Sequence, residues 1–196
     1  MGNMFHVVEA DGSPGTSFGG LRSQRPGDEM ALARHLVLRP PGSFVSVRWT
    51  QKYEIEVWGT SGQRAQRFER SVPWFSPYTG IWPPSPSRPP PPFIVGAWQD
   101  ADARIWILTR VPDPNWRRAL TELPPLEGQK RYIMTNQHRG YDTMVEVLDL
   151  RAQRVLLSER MDERVALVVA PGVIGILHEN EDGSFRLSVT ELSLRE

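Results

Sequence analysis

The sequence predicts an all-β fold of short antiparallel strands, and three observations carry the prediction. The first is alternation. From Tyr53, YEIEVW sets Tyr53, Ile55 and Val57 against Glu54, Glu56 and Trp58, and from Phe185, FRLSVTEL sets Phe185, Leu187 and Val189 against Arg186, Ser188 and Thr190. A period of two is the pattern of a half-buried antiparallel strand. The second is a series of further β-rich runs at 5–10, 35–39, 43–49, 93–99, 104–111, 144–150, 154–160, 165–170 and 173–179. The third is the turn chemistry between many of them: PPG at 40–42, GTSGQ at 59–63, PG at 171–172 and NEDG at 180–183. Short strands in series with tight turns indicate a sandwich, barrel or propeller.

One helix is expected, near 114–121. Asp113 is a good N-cap, Pro114 suits the first helical position, and Trp116 and Leu120 share a face. Pro124 and Pro125 would stop it. From the alternation, Ile105, Trp106, Ile107, Val147, Val57 and Val189 are expected to be buried. Glu54 and Glu56, on one strand face between Lys52 and Arg64, read as solvated.

The runs recur as a unit of four strands. One full copy spans 35–70 and a second spans 93–160, interrupted by an insertion at 112–142. A third begins at 165 and reaches 194 without its outer strand, and 5–20 fits the last two strands of an earlier copy. Repeated four-stranded antiparallel units describe propeller blades. The chain therefore reads as one partial β-propeller of about three to three and a half blades, in an open ring.

EADGSPGTSFG, VWGTSGQ and DADARIWIL resemble the blade phrases of six-bladed β-propellers of the NHL-repeat type. The stretch from Phe93 to Leu194 is similar to the C-terminal part of bacterial proteins described as six-bladed propeller domains. Ala103 departs from that pattern, which often has Gly after the acidic pair. Six blades of about 40–45 residues need about 240–270. The resemblance thus implies missing N-terminal blades, a truncated chain or a mis-started reading frame, and an extracytoplasmic parent is compatible with it. It also implies a binding platform, with a lactonase-like, metal-dependent hydrolase fragment, or a truncated product without independent function, as the alternatives. The first strands at 35–39, 93–99 and 165–170 start with no carboxylate or amide for a channel metal.

Propeller geometry puts the connection at 71–92 and the insertion at 112–142 on the same, top face, and long loops on one rim are where function concentrates. The first connection holds Trp74, Phe75, Tyr78 and Trp82 before a proline run ending at Pro92. It reads either as an aromatic platform for a peptide, glycan or small molecule, or as rings packed into an inter-blade gap under a stiff proline strap. The second holds Trp116, Arg117, Arg118, Arg131, Tyr132, His138, Arg139, Tyr141 and Asp142, an arginine cluster that could receive a carboxylate or phosphate or be neutralised by its own acids. The candidate ligand contacts are Trp74, Tyr78, Trp82, Arg117, Arg131, His138 and Arg139.

No catalytic residue, metal ligand or cofactor is assigned. The four histidines are scattered, with no HExxH or GxSxG motif. His35, on a first strand, could face a propeller channel, although a lone strand histidine is more often structural. Asp100 and Asp102 read as turn formers. The chain has no cysteine and balances 23 Lys and Arg against 23 Asp and Glu, which argues against a nucleic-acid partner. No apolar run is long enough to span a bilayer, and MGNMFHVVEADG lacks the regions of a signal peptide. The partner is expected to be a protein, peptide or small molecule. The open edges are expected to favour self-association.

Overall fold

The computed structural model describes residues 2–21, 33–39, 41–50, 52–78, 82–180 and 182–194. The chain is all-β, and every strand pair is antiparallel. Strands β1 (Gly2–Val8) and β2 (Pro14–Leu21) form a hairpin. Strands β3 (Arg34–Arg39), β4 (Ser43–Arg48), β5 (Tyr53–Gly59) and β6 (Arg64–Arg70) form a sheet in chain order. A second four-stranded sheet runs in the order β7 (Phe93–Gln99), β8 (Ile105–Pro112), β11 (Tyr141–Asp149) and β12 (Arg154–Met161). Strands β13 (Val165–Ala170), β14 (Val173–Glu179) and β15 (Phe185–Glu191) make a three-stranded sheet.

These sheets pack face to face in series. Phe5 and Phe18 of the hairpin meet Phe44 and Trp58. Val45, Val47, Tyr53, Ile55 and Val57 meet Ile94, Ile105, Ile107 and Leu148. Trp98, Trp106, Leu108, Val145 and Val147 meet Val165, Ile174 and Ile176. Alternate residues of β11 therefore feed different cores: Leu148 faces one way and Val145 and Val147 the other. The first strands of successive sheets lie beside each other, β3 against β7 and β7 against β13. Gly96 permits the second approach, because a Cβ there would collide with Val168 Cγ2. His35 on β3 is half-buried and its Nε2 lies 2.8 Å from the Ile94 carbonyl oxygen, so it clasps two sheets. Arg110 does the same between β8 and β13, donating to the Val165 and Ala166 carbonyls at 2.9 Å each.

Three expectations need correction. The helix near 114–121 is a single 3₁₀ turn at Trp116–Ala119, whose Asn115 cap makes no side-chain bond. From Leu120 the backbone is extended, and β9 (Leu120–Leu126) pairs with β10 (Gln129–Met134) in a separate hairpin. Pro124 and Pro125 sit in that two-stranded ribbon, where proline is tolerated because no further strand needs its missing N–H. Val189 is 60% exposed, with Phe185, Leu187, Leu167 and Val169 also exposed, because no further sheet among the described residues covers that face. The other five residues expected in the core are buried.

Glu54 and Glu56 are the third correction: they are 1% and 3% exposed. Their face of β5 is the one the hairpin packs against, and arginines on the adjacent strands neutralise it. Glu54 pairs with Arg48 and accepts from Arg67 Nε at 2.6 Å, and Glu56 accepts from Arg64 Nη1 at 2.8 Å. Burial pushes the Glu54 carboxyl up, but Arg48 and the hydrogen bonds from Arg67 and Arg48 outweigh it and hold it below its ordinary 4.5. A carboxyl depressed in the fold stabilises it above the unfolded value, and that contribution is lost as pH falls through the folded value. The stability difference between the native chain and Glu54→Gln should therefore shrink as urea midpoints are followed from neutrality to about pH 3. A constant difference would show that Glu54 carries no charge in this network.

Asp100 and Ala103 close the turn between β7 and β8. Asp100 Oδ1 accepts from the Asp102 and Arg104 amides at 3.0 and 2.9 Å, the turn role expected of it. Ala103 has φ of 61°, left-handed backbone that glycine adopts without a Cβ penalty. That is the physical reason a glycine suits this position.

Candidate functional site

The two long segments meet at one end of the sheets. Phe93 pairs with Arg110, and Tyr141 with Pro112, so β7 begins, β8 ends and β11 begins at the same edge. Arg117 ties the segments together: its Nε donates to the Pro86 carbonyl at 2.8 Å, and its guanidinium carbon lies 4.7 Å above the Trp116 ring. Between them is a cavity of about 530 Å³, walled by Trp74, Tyr78, Trp82, Trp116 and prolines of both segments. Arg88, Asp113 and Arg160 supply its charged groups.

The aromatic residues divide their work. Phe75 is buried, and Trp74 packs edge-on to Tyr53 at 5.4 Å, so both also serve the core between the first two sheets. The Tyr78 amide donates to the Thr50 carbonyl at 3.1 Å, which fixes the start of the wall. The Tyr78 hydroxyl and Trp82 Nε1 are sealed from solvent and have no hydrogen-bond partner among the described residues. Residues 79–81, within the connection expected at 71–92, lie outside the described residues.

Asp142, 2% exposed, is the carboxylate paired with the cavity residue Arg160. Its Oδ2 accepts from Arg160 Nε at 2.7 Å, and Arg160 Nη2 also donates to the Pro112 carbonyl at 2.6 Å. Burial raises the Asp142 carboxyl above its ordinary value. Arg160 works against that, and the neighbouring Asp113 carboxyl adds to it. Asp142 Oδ1 has no donor among the described residues; its neighbour is a second carboxyl, and two carboxyls so placed hold a proton more readily than one alone.

Of the seven residues proposed from sequence, Trp74, Tyr78 and Trp82 line this cavity, and Arg117 is bound to the strap beside it. His138 and Arg139 border a smaller cavity of about 250 Å³ with Asp113, Asn115 and Arg118. Burial and then Arg164 push the His138 imidazole down, and its ring lies 6.1 Å from Phe185. Arg131 stands exposed on β10, outside both cavities. Sequence reasoning missed Arg88, which a proline run disguised, and Arg160. Only the strand register brings Arg160, opposite Met144, beside Asp142, and no local motif signals that. Among the described residues no group of three or more His, Asp or Glu is placed to hold a metal ion. Comparison with known proteins gives no matching family, no matching curated protein and no matching solved structure.

Proposed function

We propose that the chain is part of a β-propeller whose rim binds a ligand, and that binding rather than catalysis is its role. The serial face-to-face sheets, with β3, β7 and β13 side by side, support the propeller reading. One observation carries the binding reading: two distant segments converge on one aromatic and proline-lined cavity with a few polar groups. That is the composition of small-molecule sites, and about 530 Å³ is within their usual size. Trp82→Ala, which removes wall and donor without touching a strand, should leave the melting temperature nearly unchanged. It should also weaken about tenfold the calorimetric affinity of whichever aryl or glycan probe binds the native chain. An unchanged affinity in Trp82→Ala would place the ligand elsewhere.

A second reading concerns assembly, and the uncovered face of the last sheet favours it. Leu167, Val169, Phe185, Leu187 and Val189 are exposed together, and apolar faces of this kind mark interaction surfaces. At the opposite end of the series, His6 and Ser17 are exposed and bonded to each other at 2.8 Å. An apolar face complements a copy of itself, so the partner proposed for it is the same face of a second copy, related by a two-fold axis. Light scattering across a concentration series should find dimers that the Leu187→Glu, Val189→Lys double variant returns to monomers. A native chain that stays monomeric at high micromolar concentration would sink this reading.

A further inference from the structure

Asp113 stands at the neck of the insertion between β8 and β11. Its amide donates to the Gly140 carbonyl at 3.1 Å, so the two arms of the insertion meet there. Its carbonyl accepts from the Trp116 amide at 3.0 Å, and its carboxyl accepts from the Asn115 amide. The 3₁₀ turn that carries Trp116 to the larger cavity therefore hangs on Asp113. Asp142 belongs to the other arm, on β11 opposite Val111. Arg160 fixes it from β12, donating to Asp142 Oδ2 at 2.7 Å and to the Pro112 carbonyl at 2.6 Å.

The Asp113 and Asp142 carboxyls are hydrogen-bonding neighbours, yet two ionised carboxylates have no hydrogen to share. Asp142 Oδ1 is sealed from water and receives no donor from the described residues. A buried acceptor left bare costs its lost hydration, and a like charge beside it adds repulsion. One proton removes both penalties, because a protonated carboxyl is neutral and donates. Burial raises the Asp142 carboxyl and Asp113 adds to the rise, against Arg160. The other charged groups nearby are not bound to the pair. Arg118, His138 and Arg139 border the smaller cavity with Asp113, and Arg88 and Tyr78 border the larger one. Among the described residues only Arg160 forms an ion pair with either carboxyl.

We infer that Asp113 and Asp142 share one proton, and that this proton latches the neck of the insertion. Held, it joins the two arms beside the Asp113–Gly140 bond. Lost at higher pH, it leaves two like charges in contact and loosens the turn that hangs on Asp113.

Asp113→Asn tests this in the intact chain. Its amide oxygen still accepts from the Asn115 amide, and its amide nitrogen donates to Asp142 in place of the proton. A carboxyl that holds its proton in the fold and releases it on unfolding makes stability fall as pH rises. One such proton is worth about 3–5 °C of melting temperature per pH unit in a chain of this size. Between about pH 5 and about pH 8, Asp113→Asn should therefore gain on the native chain by that slope wherever the proton is being lost. Infrared spectra at neutral pH should show the C=O stretch of a protonated carboxyl in the native chain. The band should be missing from Asp113→Asn and from Asp142→Asn; imidazole has no such band, so His138 does not contribute. Above the window, hydrogen exchange at the Trp116 amide should be faster in the native chain than in Asp113→Asn. A melting difference that is constant with pH, or a band that is absent or survives both substitutions, would overturn the shared proton. Equal exchange at Trp116 would overturn the latch.

Discussion

Replacing Trp106 with alanine should destabilise the chain by about 3–5 kcal/mol, the cost of removing a core aromatic. Trp106 is buried on β8 in the core between the second sheet and the last. Its ring stacks on Trp98 at 5.4 Å and 14°, and its Nε1 donates to Asp100 Oδ2 at 2.8 Å. The substitution thus opens a cavity between two sheets, breaks an aromatic pair and removes a donor from the Asp100 turn. Trp106→Phe isolates the last term, because it keeps a ring against Trp98, and should cost less. For a chain of this length the alanine variant should melt on the order of 10 °C lower. A loss within about 0.5 kcal/mol, the range of surface positions, would mean the two sheets do not pack as described.

The strands were legible because alternation survives in the sequence whatever lies on either side of the sheet. What alternation does not encode is which faces are covered. On β5 the pattern of apolar residues and glutamates reads as one buried and one wet face. Yet the hairpin and the arginines of β4 and β6 cover the second face too, and Glu54 and Glu56 end buried. On β15 the same pattern misled in the other direction: Val189 belongs to the apolar half, but that half faces water. Both misreadings concern neighbours distant in sequence. The rim was partly legible for the complementary reason. Trp74, Tyr78 and Trp82 stand out by composition in a segment that cannot be a strand, whereas Arg160 and Asp142 meet only through the register of β11 and β12. The β9–β10 hairpin is hidden in the sequence because two prolines read as a helix stop, whereas a two-stranded ribbon accommodates them.

Replacing Glu146 with alanine should cost about as much as the loss of Trp106, roughly 3–5 kcal/mol, for an electrostatic reason. Glu146 is 1% exposed in the middle of β11 and faces the first sheet. There it accepts from the Tyr53 hydroxyl, from Arg70 Nη1 at 2.5 Å and from Ser158 Oγ at 2.8 Å. Tyr53 and Arg70 belong to β5 and β6, so this carboxylate joins the two sheets through charge beside their apolar core. Removing it strands the buried Tyr53 hydroxyl and leaves the mostly buried Arg70 guanidinium without its carboxylate, which costs more than the net worth of the pair. The Glu146→Leu, Arg70→Leu double variant should therefore be more stable than either single variant, since neither charge is then stranded. A second readout reports on the site itself. Burial raises the Tyr53 hydroxyl well above its ordinary 10, and the Glu146 charge raises it further. In Glu146→Gln the Tyr53 hydroxyl should ionise at lower pH in a spectrophotometric titration. An unchanged titration together with a stability loss below about 1 kcal/mol, less than the worth of a charged hydrogen bond, would mean that water reaches the carboxylate.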